Sequence, residues 1–322
     1  MRRLALVAFA LLSAAPANSS ALAQSYPDRP IRIIVPTPAG GPVDVMARLL
    51  AGALPASLGQ NVIVENKSGA GNTLGSRLAA EAAPDGYTLM VSAASGLIIS
   101  PIIYKTAGYD ASSFAAVALI TETPQLLVIN PQLPFKSIAD LVAYAKANPG
   151  KLNYSTGGNG TLPHLAGELF KRTTGTDIVH VPYKGGGPAL IGVVAGEAQL
   201  TFDPLATSLP MIKDGKLRVL AIAGPARVSA LPDVPTMAES GYQSFTVGAW
   251  TALLAPKGTP PAIIARLNVA VNAALQSEPM KSTLAKLGAQ PRGGTPEALA
   301  DHMANEQKKW APIVQALNLK VE

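Results

Sequence analysis

The chain contains no cysteine. Disulfides, thiolate metal sites and cysteine nucleophiles are therefore excluded. Histidine is scarce too. His164, His180 and His302 are the three present, and none stands at an H-x-x-x-H spacing, so a structural zinc site is not expected. No cofactor is expected either. Aromatic residues make up 5% of the chain and charged residues 14%. No dense Lys/Arg run interleaves with aromatics, so a nucleic-acid partner has no support. Two nucleotide signatures fail as well. No Gly-Lys-Ser/Thr closes a P-loop. Residues 68–75, S-G-A-G-N-T-L-G, have the spacing G-x-G-x-x-x-G and lack an acidic residue after a second strand, so they are taken as a helix start.

Long apolar runs are also missing, except near the N-terminus. There Arg2 and Arg3 precede the largely apolar residues 4–15, and Ala21-Leu22-Ala23 forms an A-x-A signal. Residues 1–23 are predicted to be a signal peptide cleaved after Ala23. The alternative is a membrane anchor, but the run is too short to span a bilayer and no cysteine is present for lipidation. Of 26 basic residues, removal of the two leader arginines leaves 24 against 20 acidic, a net of +4. This weak positive balance suits small anionic ligands. About 300 mature residues is large for one core and fits two domains.

Apolar strand-like runs alternate with helical stretches. Strands are predicted at 31–35, 62–65, 88–92, 116–120, 126–129, 152–155, 178–181, 200–203, 217–223 and 250–254. Helices are predicted at 43–53, 73–82, 138–147, 162–173, 189–195, 260–276, 278–287 and 296–317. Such alternation means an α/β fold with mostly parallel sheets. Residues 120–125, I-T-E-T-P-Q, interrupt two apolar runs and are expected to cross between domains, with a return crossing near 245–253. The first domain is then discontinuous, 26–123 plus 248–322, and the second is 124–247.

Three glycine-rich turns precede predicted helices: Pro38-Ala-Gly-Gly41, Thr156-Gly-Gly-Asn-Gly-Thr161 and Lys184-Gly-Gly-Gly187. In α/β sheets, ligands gather at the carboxyl ends of strands, where such turns lie. The first N–H groups of a helix lack partners inside it and carry partial positive charge, so they attract anions. Two helix N-termini facing across a cleft can hold a dicarboxylate without any arginine. Pro42 fits the first turn of its helix. Asp44 is read as complementing the helix dipole and pairing with Arg48. Asp203, at a strand end before Pro204, is either a cleft carboxylate or an anchor for the next helical turn. Tyr183 and Lys184 offer a hydroxyl and a cation near the third turn. Trp250 is expected in the core or at a hinge. A serine hydrolase using Ser92 or Ser155 with His164 and Asp203 is the enzyme alternative, but no G-x-S-x-G occurs and the residue order is not that of an α/β-hydrolase.

Several segments together resemble one family. They are Tyr26-Pro-Asp-Arg-Pro-Ile-Arg32, Val35-Pro-Thr-Pro-Ala-Gly-Gly41 with Asp44 and Arg48, Val64-Glu-Asn66, Pro84-Asp-Gly-Tyr-Thr-Leu89, Pro163-His-Leu-Ala-Gly-Glu-Leu-Phe170 and His180-Val-Pro-Tyr-Lys-Gly-Gly-Gly-Pro-Ala189. The chain is similar to the Bug family, the periplasmic solute receptors of tripartite tricarboxylate transporters, over essentially all of its mature length. The resemblance implies a type II periplasmic-binding-protein fold, two lobes joined by two crossing strands. It implies capture of a small carboxylate between the lobes, no catalysis, a periplasmic location and delivery to membrane transporter subunits by a monomer. A ligand sensor for a membrane signalling protein is the related alternative. Carried onto this sequence, the near-lobe loop is Thr37, Pro38, Ala39, Gly40 and Gly41, with Ser92 and Ser95 beside it. The far-lobe loop is Ser155, Thr156, Gly157, Asn159 and Thr161, with Asp203 opposite. Family members often have an aromatic residue at the position of Thr37 and a proline at that of Ala39, so the resemblance does not fix pocket size or ligand identity.

Overall fold

The computed structural model describes residues 26–318. The predicted leader lies outside the described residues. In chain order the first lobe begins with β1 (Ile31–Val35), α1 (Pro42–Ala53), α2 (Pro55–Leu58), β2 (Val62–Asn66), α3 (Thr73–Ala80) and β3 (Thr88–Ala93). A π-helical turn, Ser95–Ile99, runs into α4 (Ser100–Ile103). Then come β4 (Phe114–Ile129), α5 (Ile138–Ala147), β5 (Asn153–Thr156), α6 (Leu162–Thr174), β6 (Val179–Pro182), α7 (Gly186–Ala195), β7 (Leu200–Pro204), α8 (Leu205–Lys213) and β8 (Arg218–Ile222). The chain closes with β9 (Gly248–Pro256), α9 (Pro261–Gln276), α10 (Glu278–Lys286), β10 (Gln290–Gly293) and α11 (Pro296–Leu317).

The strands order as β2-β1-β3-β9-β4-β7-β5-β6, with β10 and β8 also paired to β4. β1 runs parallel to β2 and β3, and β5 runs parallel to β6 and β7. The two parallel groups meet through antiparallel strands. The first half of β4 pairs with β9 and β10, and its second half with β7 and β8. The result is the expected α/β fold, two lobes joined by crossing strands.

The sequence suggested two short strands around residues 120–125, whereas β4 is one strand of 16 residues. Pro124 lacks an N–H, but it also pushes the residue before it into extended backbone, so the strand passes through it. β10 was not foreseen. Its sequence, Q-P-R-G, reads as a turn and becomes a strand through pairing with β4. α8 was missed because Pro210 lies inside it.

One buried apolar cluster lies wholly within the first lobe, and another runs from the first lobe into the second. Ile31, Ile33 and Val35 pack with Leu50 of α1, with Leu54 just after it, and with Leu267 and Val271 of α9. In the second lobe Phe170, Phe202 and Phe245 pack ring against ring at 5.5–6.2 Å. Each fully buried side chain of this size contributes about 1.5–3 kcal/mol.

Candidate ligand-binding cleft

Two loops that lead into helix N-termini flank one patch of the crossing strands. The first loop, residues 36–41, joins β1 to α1. Gly40 has φ +81, a left-handed conformation that glycine adopts at no steric cost. Its N–H donates to Asp44 Oδ2 at 2.8 Å. The same oxygen accepts Arg48 Nε at 3.0 Å, and Asp44 Oδ1 accepts Asn66 Nδ2 at 2.9 Å. Asn66 Nδ2 also donates to the Thr37 carbonyl at 3.1 Å, and Arg48 Nη2 donates to Asn66 Oδ1 at 2.9 Å. A single buried carboxylate thus fixes the loop, the helix start and the end of β2. The hydrogen bond from Arg48 holds the Asp44 carboxyl below the usual carboxylate range, with further help from Gly40 and Asn66 against burial. Asp44 does form the expected pair with Arg48, and it also clamps the loop. Asn66 was not singled out as part of this site.

α1 then starts after Gly41, with Pro42 in its first turn and no side-chain cap. The Thr37 hydroxyl is buried with no hydrogen-bond partner. In contrast, Ser137 and Asp140 cap α5 reciprocally, and Thr295 caps α11.

The second loop joins β5 to α6. Gly158 and Gly160 have φ +128 and +75. Thr161 occupies the N-cap position, yet its hydroxyl donates to the Gly158 carbonyl at 2.8 Å rather than capping the helix. The Gly160 N–H donates to His164 Nδ1 at 2.9 Å. The His164 ring stacks on His180 with centroids 4.0 Å apart, and His180 stacks on Tyr154 at 5.0 Å. His180 Nε2 lies 2.6 Å from Thr156 Oγ1. Burial lowers the pKa of both histidines, and the neighbouring His164 adds to the shift that takes His180 to about 4. Both rings are neutral at pH 7 and prop the loop from beneath.

The third glycine-rich turn supports the second and does not form a cradle of its own. A Cβ at Gly157 would sit 2.9 Å from the Gly186 nitrogen, so the two backbones touch there. α7 begins at Gly186, before Pro188. Tyr183 turns its hydroxyl to Glu197 at 3.0 Å, and Lys184 is exposed.

Between the two loops, Ala93, Ala249 and Trp250 form a shared floor. On one side a cavity of about 160 Å³ adds Ser95, Gly160 and Leu162. On the other a cavity of about 360 Å³ adds Gly40, Pro42 and Val43. Of the residues predicted for the site, Gly40 and Ser95 line these cavities. Gly41 and Thr161 directly precede cavity-lining helix starts, and Pro38, Ala39 and Asn159 are exposed on the two loops. Ser92, Ser155 and Thr156 are fully buried behind the walls. Ser155 donates to the Ala189 carbonyl at 2.8 Å, and the Ser92 hydroxyl reaches only the Ala93 carbonyl at 3.4 Å. Asp203 is buried, and its Oδ2 accepts the hydroxyls of Thr207 and of Ser208, the latter at 2.6 Å. Through Oδ2 that carboxylate anchors the first turn of α8, and it lines neither cavity. Burial raises its pKa against the pull of those hydrogen bonds.

Ala94, Leu165 and Trp310 also line the smaller cavity and had no signal in the sequence. Among the described residues no serine–histidine hydrogen bond is formed, and no group of three or more His, Asp or Glu side chains is placed to hold a metal ion. No helix among them is long and apolar enough to cross a membrane.

The fold and the paired loops define a solute-binding protein of the two-lobed periplasmic type. The family model described as tripartite tricarboxylate transporter family receptor matches residues 46–319, and the chain belongs to that family. It is 40% identical to Protein BugT of Bordetella pertussis over 328 residues, covering 100% of this chain and 99% of that protein. Among solved structures, MatC from Rhodopseudomonas palustris with bound malate is 35% identical, with a TM-score of 0.67 over 90% of this chain and 100% of that one. A TctC solute binding protein from Polaromonas with no ligand is 28% identical, with a TM-score of 0.85 over 90% and 99%.

Proposed function

We propose that the chain is an exported receptor, cleaved after Ala23, that captures a small organic carboxylate between its lobes as a monomer and presents it to the membrane subunits of a tripartite carrier. The observation that carries this reading is the pair of uncapped helix starts, α1 and α6, on either side of the Ala93–Ala249–Trp250 floor. Their free N–H groups suit carboxylate oxygens. MatC, with malate bound, supports a carboxylate as the ligand class.

The lobes are assigned as 26–123 plus 248–322 and 124–247. The switch of β4 from β9 to β7 partners near Pro124 and Gln125 supports those limits. Agreement is better with the ligand-free Polaromonas structure than with malate-bound MatC, despite lower identity, which supports an open cleft. The ligand touches both lobes only when they close, so it draws the equilibrium toward closure. No step of catalysis is assigned.

A melting screen against mono-, di- and tricarboxylates and acidic amino acids tests the reading. A ligand at about a hundred times its Kd adds about 2.7 kcal/mol to the native state, a readily measured rise in Tm. No stabilisation by any such acid, together with turnover of activated esters that a single serine substitution abolishes, would replace the receptor by the hydrolase.

A further inference from the structure

The crossing strands have a second face, whose cavity shares Gly248 and Trp250 with the cleft. Side chains alternate along a strand, so Thr121, Thr123, Ala249 and Thr251 look toward the cleft while Glu122 looks away. Behind Glu122 lies a cavity of about 590 Å³, larger than either part of the cleft. One wall is the C-terminal half of α6 with Arg172. The opposite wall is α11 with His302, Lys308 and Lys309, and Arg292 of β10 stands at the edge.

The charges in this cavity do not balance. Its two carboxylates are both engaged. Glu122 pairs with Arg292 at 3.1 Å. Glu306 pairs with Lys309 and accepts the indole N–H groups of Trp250 at 3.0 Å and Trp310 at 2.9 Å. Lys309 also donates to the Thr246 carbonyl at 2.7 Å. Arg172 and Lys308 remain, one on each wall, and neither side chain makes an ion pair or hydrogen bond among the described residues. A concave site with two uncompensated cations focuses positive potential. His302 lines the same cavity, and its Nε2 is buried without a hydrogen-bond partner. The His302 ring packs edge to face against Trp250, and an occupant of the cavity that reached Nε2 would supply the partner it lacks.

We propose that this rear cavity is a second binding site, for a small soluble oxyanion with two or more negative charges, of phosphate or carboxylate chemistry, held between Arg172 and Lys308. Such an anion bridges α6 of the second lobe to the C-terminal helix α11. Carboxylate and phosphate groups both match the fork of an arginine and the point charge of a lysine.

Isothermal titration of the mature chain with sodium pyrophosphate at constant ionic strength tests the proposal. Three proteins are compared: wild type, Arg172→Gln/Lys308→Gln, and a control, Lys151→Gln/Lys213→Gln, which removes two exposed lysines elsewhere. Arg172 and Lys308 are exposed and unpaired, so the double variant is expected to keep the wild-type circular dichroism and ligand-free Tm. Wild type and control should bind one equivalent alike, and the double variant should bind about tenfold or more weakly. Absence of binding to wild type would overturn the site. So would an equal loss in the control, which means diffuse charge attraction, or unchanged affinity in the double variant, which means the anion sits in the front cradle.

Discussion

Asp44 shows how much one buried side chain can organise. Its two oxygens take the Gly40 amide, the Arg48 guanidinium and the Asn66 amide, and so connect β1, α1 and β2 around the first cradle. Asp44→Ala leaves those donors without an acceptor. A stability loss of about 1–3 kcal/mol and weaker carboxylate binding are expected, read by denaturant unfolding and titration calorimetry. Unchanged affinity would show that the loop keeps its form without the clamp. The acid dependence follows from the sign of the shift. The folded-state pKa of Asp44 lies below its unfolded value of about 3.9, so its contribution is complete above that pH and is lost as pH falls through the lowered folded value. Asp203 predicts a different outcome. Asp203→Ala strands the hydroxyls of Thr207 and the fully buried Ser208, so about 1–3 kcal/mol of stability is expected to go while carboxylate preference stays as it was. A changed ligand ranking in a panel of acids would return Asp203 to the cleft.

At the scale of elements, the histidine stack beneath the second loop couples binding to pH. His180 has its folded-state pKa lowered to about 4, below the unfolded value of about 6.5, and that of His164 is lowered too. The unfolded chain therefore binds protons first. The stability due to these rings is complete above about pH 6.5 and declines toward pH 4. Protonation of His164 also removes the acceptor of the Gly160 N–H. Carboxylate affinity should fall only as pH approaches the lowered folded-state values, about 4 for His180, and His164→Gln/His180→Gln should flatten the stability profile between about pH 6.5 and 4. Helix α3 offers a steric test. A Cβ on Gly75 would lie 2.8 Å from the Cα of Pro36 and closer still to the Lys67 carbonyl, so α3 rests directly on the first loop. Gly75→Ala should force that contact apart, costing about 1–3 kcal/mol and loosening the cradle. Much of this architecture was legible in the chain. Pro42, Ser137, Gly175 and Gly196 mark helix ends through backbone rules that act locally, and the strands of the parallel groups announce themselves as apolar runs. The hidden parts depend on partners distant in sequence. β10 exists because β4 pairs with it, and Ser155 and Asp203 look like cleft residues until the Ala189 carbonyl and two hydroxyls occupy them. The glycine turns at residues 38–41 and 156–161 mark the two loops beside the cleft cavities, while the alanine and tryptophan floor between them carries no local mark.

At the scale of the whole molecule, two lobes share a connection through β4 and β9. Small-angle scattering should show a smaller radius of gyration on adding a carboxylate that raises the Tm. An unchanged radius with saturated binding would mean that the cleft fills without closing. β9 contains one of the chain's two tryptophans, Trp250, and α11 packed beside it carries the other, Trp310. Trp250 and Trp310 line the smaller part of the cleft, and one carboxylate, Glu306, accepts both indole N–H groups. Both indoles thus lie on the wall of the cleft and share one hydrogen-bond acceptor. The protein reports its own occupancy optically: a change in intrinsic emission, excited at the red edge of the absorption band, follows capture without any label.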